Sequence, residues 1–391
     1  MKYDFDAVND RRNTNSIKYD FFSENGVPSD ALPLWIADMD FRVPDCLIEK
    51  LKQRLDHGIF GYTDPKPEYF GTVCRWFETR HNWRTKIEGW VTTCTVVFAI
   101  CSLLRAVTKP SDAVIICQPV YYPFADSILN NGRRLVVSGL KNDNGRYTVN
   151  FSDFEQKIVE NKVKAFILCN PHNPVGRVWT KDELVRMGEI CLKHGVFVIS
   201  DEIHSDFVFG NNRHIGFAAA DDRFKDFCAV CTAPTKTFNI AGLHISNIYV
   251  ENDAVREKFK KELAAQGFIQ PNLTGLLACQ TVYGYGAEWL DGLLEYLEEN
   301  IGFAENYVKE NLPRLKLVRP EGTYLLWLDC RGLGFDDKKL SDFMRNEAKL
   351  WLDDGYIFGK GGGGFERINV ACPRSVVKNA MERLKAAISR I

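Results

Sequence analysis

Short apolar runs, each bounded by turn residues or charges, recur through the middle of the chain. They are rich in β-branched residues and too short for a typical helix, so they predict strands at 113–117, 135–138, 165–169, 196–200, 229–232 and 245–250. Helix-length segments separate several of them. The clearest is 181–194, where Thr180 and Glu183 have the spacing of a capping box. Strands that alternate with helices indicate a mostly parallel, buried sheet.

The pattern changes in the C-terminal third of the chain. Its predicted strands are 322–329 and 365–371, and its predicted helices are 288–308, 341–352 and 375–391. This mixture is typical of a small α+β unit. We therefore predict a large α/β domain over residues 46–285, and a small domain formed by residues 286–391 together with the N-terminal segment 1–45.

Polar side chains follow three of the predicted strands. Asn173 comes after 165–169, Asp201 directly after 196–200, and Lys236 after 229–232. Because ligands of open α/β sheets bind beyond the carboxyl ends of the strands, we expect an amide, a carboxylate and an ammonium group at one rim. Singly, such a lysine is usually a solvated surface group and such an aspartate a helix cap.

Together, the three groups suit a pyridinium cofactor. A lysine amine reacts with an aldehyde. A carboxylate beside a ring nitrogen keeps that nitrogen protonated, so that the ring accepts electrons. An amide can donate a hydrogen bond to the phenolate oxygen of the same ring.

Composition limits the other function classes. Fifty Lys and Arg nearly balance 51 Asp and Glu, so the net charge is −1. The chain therefore lacks the excess positive charge that usually indicates binding to nucleic acid or to an anionic membrane. The N-terminus has no signal-peptide pattern, and the longest apolar run, 96–107, is too short to span a bilayer. Twelve scattered cysteines in 391 residues are too few for a disulfide scaffold. We expect a cytoplasmic protein with reduced cysteines and no metal site.

A resemblance extends this interpretation. Its segments, in chain order, are 32–41, 60–62, 118–124, 170–179, 200–206, 235–243, 321–325 and 367–374. Together they resemble the fold-type I pyridoxal-phosphate enzymes of the class I/II aminotransferase superfamily, and within it the MalY/PatB-type C–S lyases (cystathionine β-lyase-like). The resemblance implies a large domain of the aspartate aminotransferase type with a mostly parallel mixed sheet, plus a smaller α+β domain. It also implies α,β-elimination on cystathionine or cysteine to a thiol, pyruvate and ammonia.

Residue roles carry over by position. Lys236 resembles the lysine that holds pyridoxal 5′-phosphate covalently and removes the substrate α-proton. Asp201 resembles the partner of the pyridine nitrogen, and Asn173 the donor to the ring hydroxyl oxygen. Tyr121 resembles the aromatic residue that stacks on the ring. Arg367 resembles the arginine that binds the substrate α-carboxylate.

Further site residues are expected around these five. Tyr62 resembles a tyrosine that reaches the cofactor phosphate of the neighbouring subunit, which implies an obligate homodimer. Thr95 is a candidate N-cap, so the free amides of Val96 and Val97 are expected to point at the phosphate. The remaining expected residues are Thr235 and His204 at the cofactor, and Ile36 and Ala37 at the substrate.

Two departures from the aminotransferase pattern favour the lyase branch. The segment 242–246 lacks the arginine that many aminotransferases place after the lysine, and His204 replaces their tyrosine three residues after the aspartate. Two alternatives stay open: an aminotransferase, which needs the same Lys236, Asp201 and Asn173, and a cofactor-binding regulatory protein that acts through a partner surface. The glycine-rich run 359–364 precedes a strand-like segment, so it is not a dinucleotide fingerprint.

Overall fold

The computed structural model describes residues 3–391. Its α-helices are α1 (Asp45–His57), α2 (Pro67–His81), α3 (Val96–Val107), α4 (Pro123–Asn130), α5 (Phe151–Asn161), α6 (Lys181–His194), α7 (Phe217–Ala220), α8 (Pro234–Thr237), α9 (Asp253–Ala265), α10 (Leu273–Tyr285), α11 (Ala287–Asn311), α12 (Asp337–Asp342) and α13 (Arg374–Ile388). Its strands are β1 (Leu32–Pro33), β2 (Trp90–Thr93), β3 (Ala113–Gln118), β4 (Arg134–Gly139), β5 (Lys141–Asp143), β6 (Arg146–Thr148), β7 (Val163–Cys169), β8 (Phe197–Asp201), β9 (Cys228–Thr232), β10 (Ser246–Tyr249), β11 (Lys316–Val318), β12 (Leu325–Asp329), β13 (Leu350–Trp351), β14 (Asp353–Asp354) and β15 (Phe365–Asn369).

Seven strands form the large sheet, in the order β2-β10-β9-β8-β7-β3-β4. Neighbours from β9 to β4 are parallel, whereas β10 runs antiparallel to both β2 and β9. All six strands predicted in the middle of the chain lie in this sheet. The predicted α/β class with a mostly parallel mixed sheet is therefore confirmed.

Strand alternation divides the interior of the large sheet between two cores. On β7, Ala165 and Ile167 pack into a cluster with α3 and α9, while Phe166 and Leu168 pack into a cluster with α5 and α6. Successive side chains of a strand point to opposite faces, so a strand that is apolar throughout requires a helical layer on both sides. Helices on both faces leave the strand ends as the open rim of the sheet.

Four strands form a smaller antiparallel sheet, in the order β11-β12-β15-β14. Helices α11 and α13 pack beside it through the apolar faces that the helical periodicity predicts. The division of the chain at residues 45/46 and 285/286 stays a prediction. None of the helices in residues 3–391 combines the length and the apolar character needed to cross a bilayer.

One predicted helix is wrong in its second half. The segment 341–352 is helical only as far as Glu347, where a π-helical turn (Phe343–Glu347) follows α12. Lys349 then takes a left-handed backbone conformation (φ 54°). Leu350 and Trp351 form β13, which pairs in parallel with β1 of the N-terminal segment. This apolar spacing suits a helix, but pairing with a distant strand overrides it.

Helix α6 begins and ends where the sequence predicts. Thr180 accepts a hydrogen bond from the Glu183 amide, and the Glu183 carboxylate accepts one from the Thr180 amide (3.2 and 2.9 Å). The helix ends at Gly195, which has a positive φ of 64°. The predicted capping box is therefore confirmed.

Helix α6 also supplies a test of packing. A Cβ atom on Gly188 would lie 2.2 Å from the ring of the buried Phe224, whereas one on Gly302, within α11, would meet nothing within 4 Å. We expect Gly188→Ala to lower stability by about 1–3 kcal/mol through overpacking. The matched Gly302→Ala should raise stability by about 0.5–1 kcal/mol through helix propensity. Apparent melting temperatures at one scan rate test this, and equal shifts for the two variants would contradict the packing argument.

Candidate active site

A cavity of about 410 Å³ opens at the carboxyl ends of the parallel strands. Twelve of the thirteen predicted site residues line it, and they are Ile36, Ala37, Thr95, Val96, Val97, Tyr121, Asn173, Asp201, His204, Thr235, Lys236 and Arg367. The exception is Tyr62, whose side chain is 99% exposed in the loop between α1 and α2. The wall also contains Trp35, Tyr122 and Asp353, which the sequence analysis missed.

Strand register brings the three predicted rim residues together. Asp201 is the last residue of β8, and its neighbours across the sheet are Cys169 on β7 and Cys231 on β9. Asn173 lies four residues beyond β7, and Lys236 lies in α8 just after β9. The arrangement at one rim is therefore as the order of strands predicts.

Lys236 is an amine held in the cavity wall. Its Nζ atom donates a hydrogen bond to the Ala37 carbonyl oxygen at 2.6 Å. Burial, partly opposed by Asp38 and Asp201, lowers the pKa of Lys236 to about 8. A lysine with a pKa of about 8 is partly neutral at physiological pH, and the neutral amine is the form that attacks a carbonyl or accepts a proton.

Asp201 is a buried carboxyl group that lacks a bonded cation. Its side chain accepts a hydrogen bond from the Ile203 amide at 3.1 Å and is 4% exposed. Burial, with a smaller contribution from Glu202, raises the pKa of Asp201 to about 7. A protonated ring nitrogen placed against it would provide the missing positive charge.

Arg367 orients the amide of Asn173. Its Nη1 atom donates to Asn173 Oδ1 at 3.1 Å, which leaves both amide hydrogens of Asn173 available to an acceptor such as a ring oxygen. Its Nη2 atom donates to the Trp35 carbonyl oxygen at 2.8 Å and to the carboxylate of Asp353. The buried Nε–H has no protein partner, so Arg367 retains donor capacity for a carboxylate.

Helix α3 points its N-terminus into the cavity. Thr95 is its N-cap, and its hydroxyl oxygen accepts a hydrogen bond from the Phe98 amide at 3.2 Å. The first-turn amides of Val96 and Val97 have no acceptor within the helix. Together with the helix dipole and the nearby Thr235 hydroxyl, they form a site for an anion such as a phosphate.

His204 adds no positive charge to this cavity. The ring is buried, and Nδ1 has no hydrogen-bond partner. Burial, reinforced by the charges of Lys236 and Arg367, lowers the pKa of His204 to about 3. Since the imidazole is neutral at physiological pH, the formal cations of the lining are Lys236 and Arg367.

The N-terminal segment forms one wall of the cavity through its backbone. Four consecutive carbonyl oxygens, from Trp35 to Asp38, accept hydrogen bonds from side chains of both sheets or their adjoining loops. The donors are Arg367 to Trp35 (2.8 Å), Asn369 to Ile36 (2.7 Å) and Asp38 (2.6 Å), and Lys236 and Tyr324 to Ala37 (2.6 and 3.1 Å). This explains why Ile36 and Ala37 line the cavity although they are far in sequence from the other site residues.

These groups fit pyridoxal 5′-phosphate. The buried Asp201 suits a protonated pyridine nitrogen, the free amide hydrogens of Asn173 suit its ring oxygen, and Lys236 suits its aldehyde. The N-terminus of α3 suits its phosphate. The pairings with Asp201, Asn173 and the N-terminus of α3 each answer an unmet charge or hydrogen bond in the cavity wall, and Lys236 contributes a reactive amine.

Comparisons with known proteins agree with this fit. The family model described as aminotransferase class I and II matches residues 29–384. Cystathionine beta-lyase PatB of Bacillus subtilis (strain 168) is 41% identical over 98% of this chain and 100% of its own length. The structure of cystalysin from Treponema denticola, which contains pyridoxal 5′-phosphate, superposes with a TM-score of 0.97 at 41% identity over 100% of both chains. The PLP-bound C-S lyase from Staphylococcus hominis gives 0.93 at 31% identity over 99% of this chain and 98% of its own.

The large mixed sheet, the meeting of the predicted site residues in one cavity and the matched length all agree with the predicted resemblance. The chain belongs to the aminotransferase class I and II family of pyridoxal-phosphate-dependent proteins.

Proposed function

We propose that the chain is a pyridoxal-phosphate-dependent C–S β-lyase. Its substrates would be L-amino acids with sulfur on Cβ, such as cystathionine or cysteine. The observation that carries the proposal is the meeting of Asn173, Asp201, Lys236 and Arg367 in one cavity. The likeness to PatB and to the Staphylococcus C-S lyase supports elimination over amino transfer.

Each cofactor-binding group has a defined task. When bound, pyridoxal phosphate provides an aldehyde carbon and a ring that accepts electrons from the substrate Cα. Asp201 would keep the ring nitrogen protonated, and Asn173 would donate to the ring oxygen. Tyr121 would exclude water from the ring. The first-turn amides of α3 and the hydroxyl of Thr235 would hold the phosphate.

Arg367 and Lys236 act on the substrate. Arg367 binds the α-carboxylate through the donors that the protein leaves free, which orients the Cα–H bond towards Lys236. The neutral amine of Lys236 then takes the α-proton. In the overall reaction the Cβ–S bond breaks, one water is consumed, and the products are a thiol, pyruvate and ammonia.

The lyase proposal predicts the products. The purified protein with cystathionine should form pyruvate and thiol in equal amounts, and Lys236→Ala should lose this activity by about 10²–10⁴-fold because the α-proton has no acceptor. Lys338→Ala, at an exposed position, should behave as the wild type. Transfer of the amino group to a keto acid, without pyruvate or thiol, would instead establish an aminotransferase.

The lowered pKa of Lys236 predicts how cofactor loading depends on pH. Only the neutral amine attacks the aldehyde, so the rate at which cofactor-free protein takes up pyridoxal phosphate should rise about tenfold per pH unit well below pH 8. It should level off above about pH 8, where the amine is mostly neutral. Stopped-flow absorbance measures the rate. A profile still rising at pH 10 would indicate an ordinary, solvated lysine.

We further propose a homodimer in which Tyr62 completes the active site of the other subunit. Ile59, Phe60 and Tyr62 are 65%, 60% and 99% exposed in one loop, a concentration of apolar surface that a second copy of the chain would cover. The phosphate site at α3 is built from amides and hydroxyls, so a further hydroxyl donor would strengthen it.

Mixing two impaired variants tests the shared site. If the partner subunit's Tyr62 serves each cavity, a heterodimer of Tyr62→Phe and Lys236→Ala subunits has one intact site. Random exchange of subunits makes about half of the dimers heterodimers, each with one intact site of two. We therefore expect about a quarter of the wild-type activity, measured at a cofactor concentration that limits loading. No recovery would place Tyr62 in the cavity of its own subunit, whereas a Tyr62→Phe protein with wild-type activity on its own would place Tyr62 outside both cavities. Tyr285→Phe, another exposed tyrosine, is the control for loss of a hydroxyl group.

We also propose that the protein acts in the cytoplasm. All twelve cysteines are free, and eight of them are buried. Thiols in this number are typical of a reducing compartment, because an oxidising one favours disulfides.

A further inference from the structure

Asp353 places a second charge beside the substrate-binding arginine. It lies on β14, at the edge of the small sheet, directly opposite Arg367 on β15. The two side chains form an ion pair, and both line the cavity. The next residue, Asp354, points to the other face of the strand and pairs with Arg345 at 2.7 Å.

The ion pair is almost closed to solvent. Asp353 is 6% exposed and Arg367 is 3% exposed. Burial raises the pKa of Asp353 above its ordinary value, although the adjoining guanidinium of Arg367 opposes this shift. The permanent cation of Arg367, in direct contact with Asp353, favours the charged form of this carboxylate.

A bound substrate would share the guanidinium with Asp353. Arg367 already gives one hydrogen bond to Asn173, one to Trp35 and one to Asp353, so the α-carboxylate must use what remains of its five N–H groups. The substrate α-carboxylate and the Asp353 carboxylate then share the single positive charge of the Arg367 guanidinium. The excess negative charge acts on whatever extends from the substrate Cβ.

The rest of this wall favours a cation in the same place. Trp35 and Tyr122 line the cavity with Asp353, and aromatic faces attract ammonium groups. Burial, and after it the charge of Asp353, raises the pKa of Tyr122, in agreement with the placement of both residues in this wall. A negative charge in a cavity wall that also contains two aromatic residues repels a carboxylate and accommodates an ammonium group.

We infer that Asp353 is a specificity-determining residue for the sulfur substituent. It selects, among L-amino acids with sulfur on Cβ, those whose substituent carries an ammonium group over those whose substituent carries only a carboxylate. The inference rests on the proposed β-lyase function and adds the class of leaving group to it. Two unit charges about 7 Å apart at an effective dielectric constant of about 20 change binding by tens of fold.

A series of substrates of similar length tests the inference. S-(2-Aminoethyl)-L-cysteine, S-ethyl-L-cysteine and S-(carboxymethyl)-L-cysteine carry a cationic, a neutral and an anionic group beyond the sulfur. For the wild type we expect kcat/KM to fall in that order. Asp353→Asn keeps the size and an acceptor for Arg367 but removes the charge, so the cation-to-anion ratio should fall about tenfold or more, chiefly through KM.

Matched variants separate charge from structure. Asp354→Asn removes a carboxylate one residue away, on the opposite face, and should keep the wild-type ratio. Asp353→Glu keeps the charge and should keep the wild-type order of substrates. Melting temperature and the visible absorbance of the bound cofactor show that each variant folds and loads.

Three results would overturn the inference. One is an equal loss for all three substrates in Asp353→Asn, which would mean that Asp353 only positions Arg367. The others are a wild type that does not discriminate among the substrates, and a loaded Asp353→Glu protein that loses the order. Failure of the proposed function looks different, because no pyruvate would then form from any of the three.

Discussion

The cavity depends on the backbone of residues 35–38. Four consecutive carbonyl oxygens there accept hydrogen bonds from side chains that belong to different parts of the fold, among them Lys236 and Arg367. Buried carbonyl groups need partners, and here the partners include the proposed catalytic and substrate-binding residues, together with Asn369 and Tyr324. Through these hydrogen bonds the segment fixes the large sheet, the small sheet and the N-terminal strand relative to one another. A shift of this segment would move both ends of the site together.

Local patterns in the sequence predict the parts of this fold that local physics determines. Six of the seven strands of the large sheet follow from short β-branched runs, and α6 follows from its capping box, because each depends on near neighbours in the chain. Strand order then places Asn173, Asp201 and Lys236 at one rim without further information. By contrast, β13 forms only because a strand more than 300 residues earlier pairs with it, and no local pattern carries that signal.

Asp353 illustrates the same limit at the site. In the sequence it belongs to an acidic pair before a glycine, which is typical of a turn. Its importance comes from lying opposite Arg367 across two strands, a relation that only register defines. The sequence could have indicated Trp35 and Tyr122 as site residues, since each is next to a predicted site residue in the chain. Side-chain direction, which neighbouring positions do not reveal, decides that they also face the cavity.

The charges of the cavity explain how one site can accept two ligands in order. Asp201 is buried without a bonded cation, so a protonated ring satisfies a need that the protein itself leaves unmet. Arg367 already has Asp353 as its counter-ion, so the substrate carboxylate joins a pair that is already neutral. A cationic ring is therefore favoured beside Asp201. At Arg367, a substrate carboxylate binds well only when the rest of the substrate tolerates the nearby carboxylate of Asp353. Two buried aspartates thus differ in what they offer a ligand: Asp201 has no bonded cation, whereas Asp353 is already paired with Arg367.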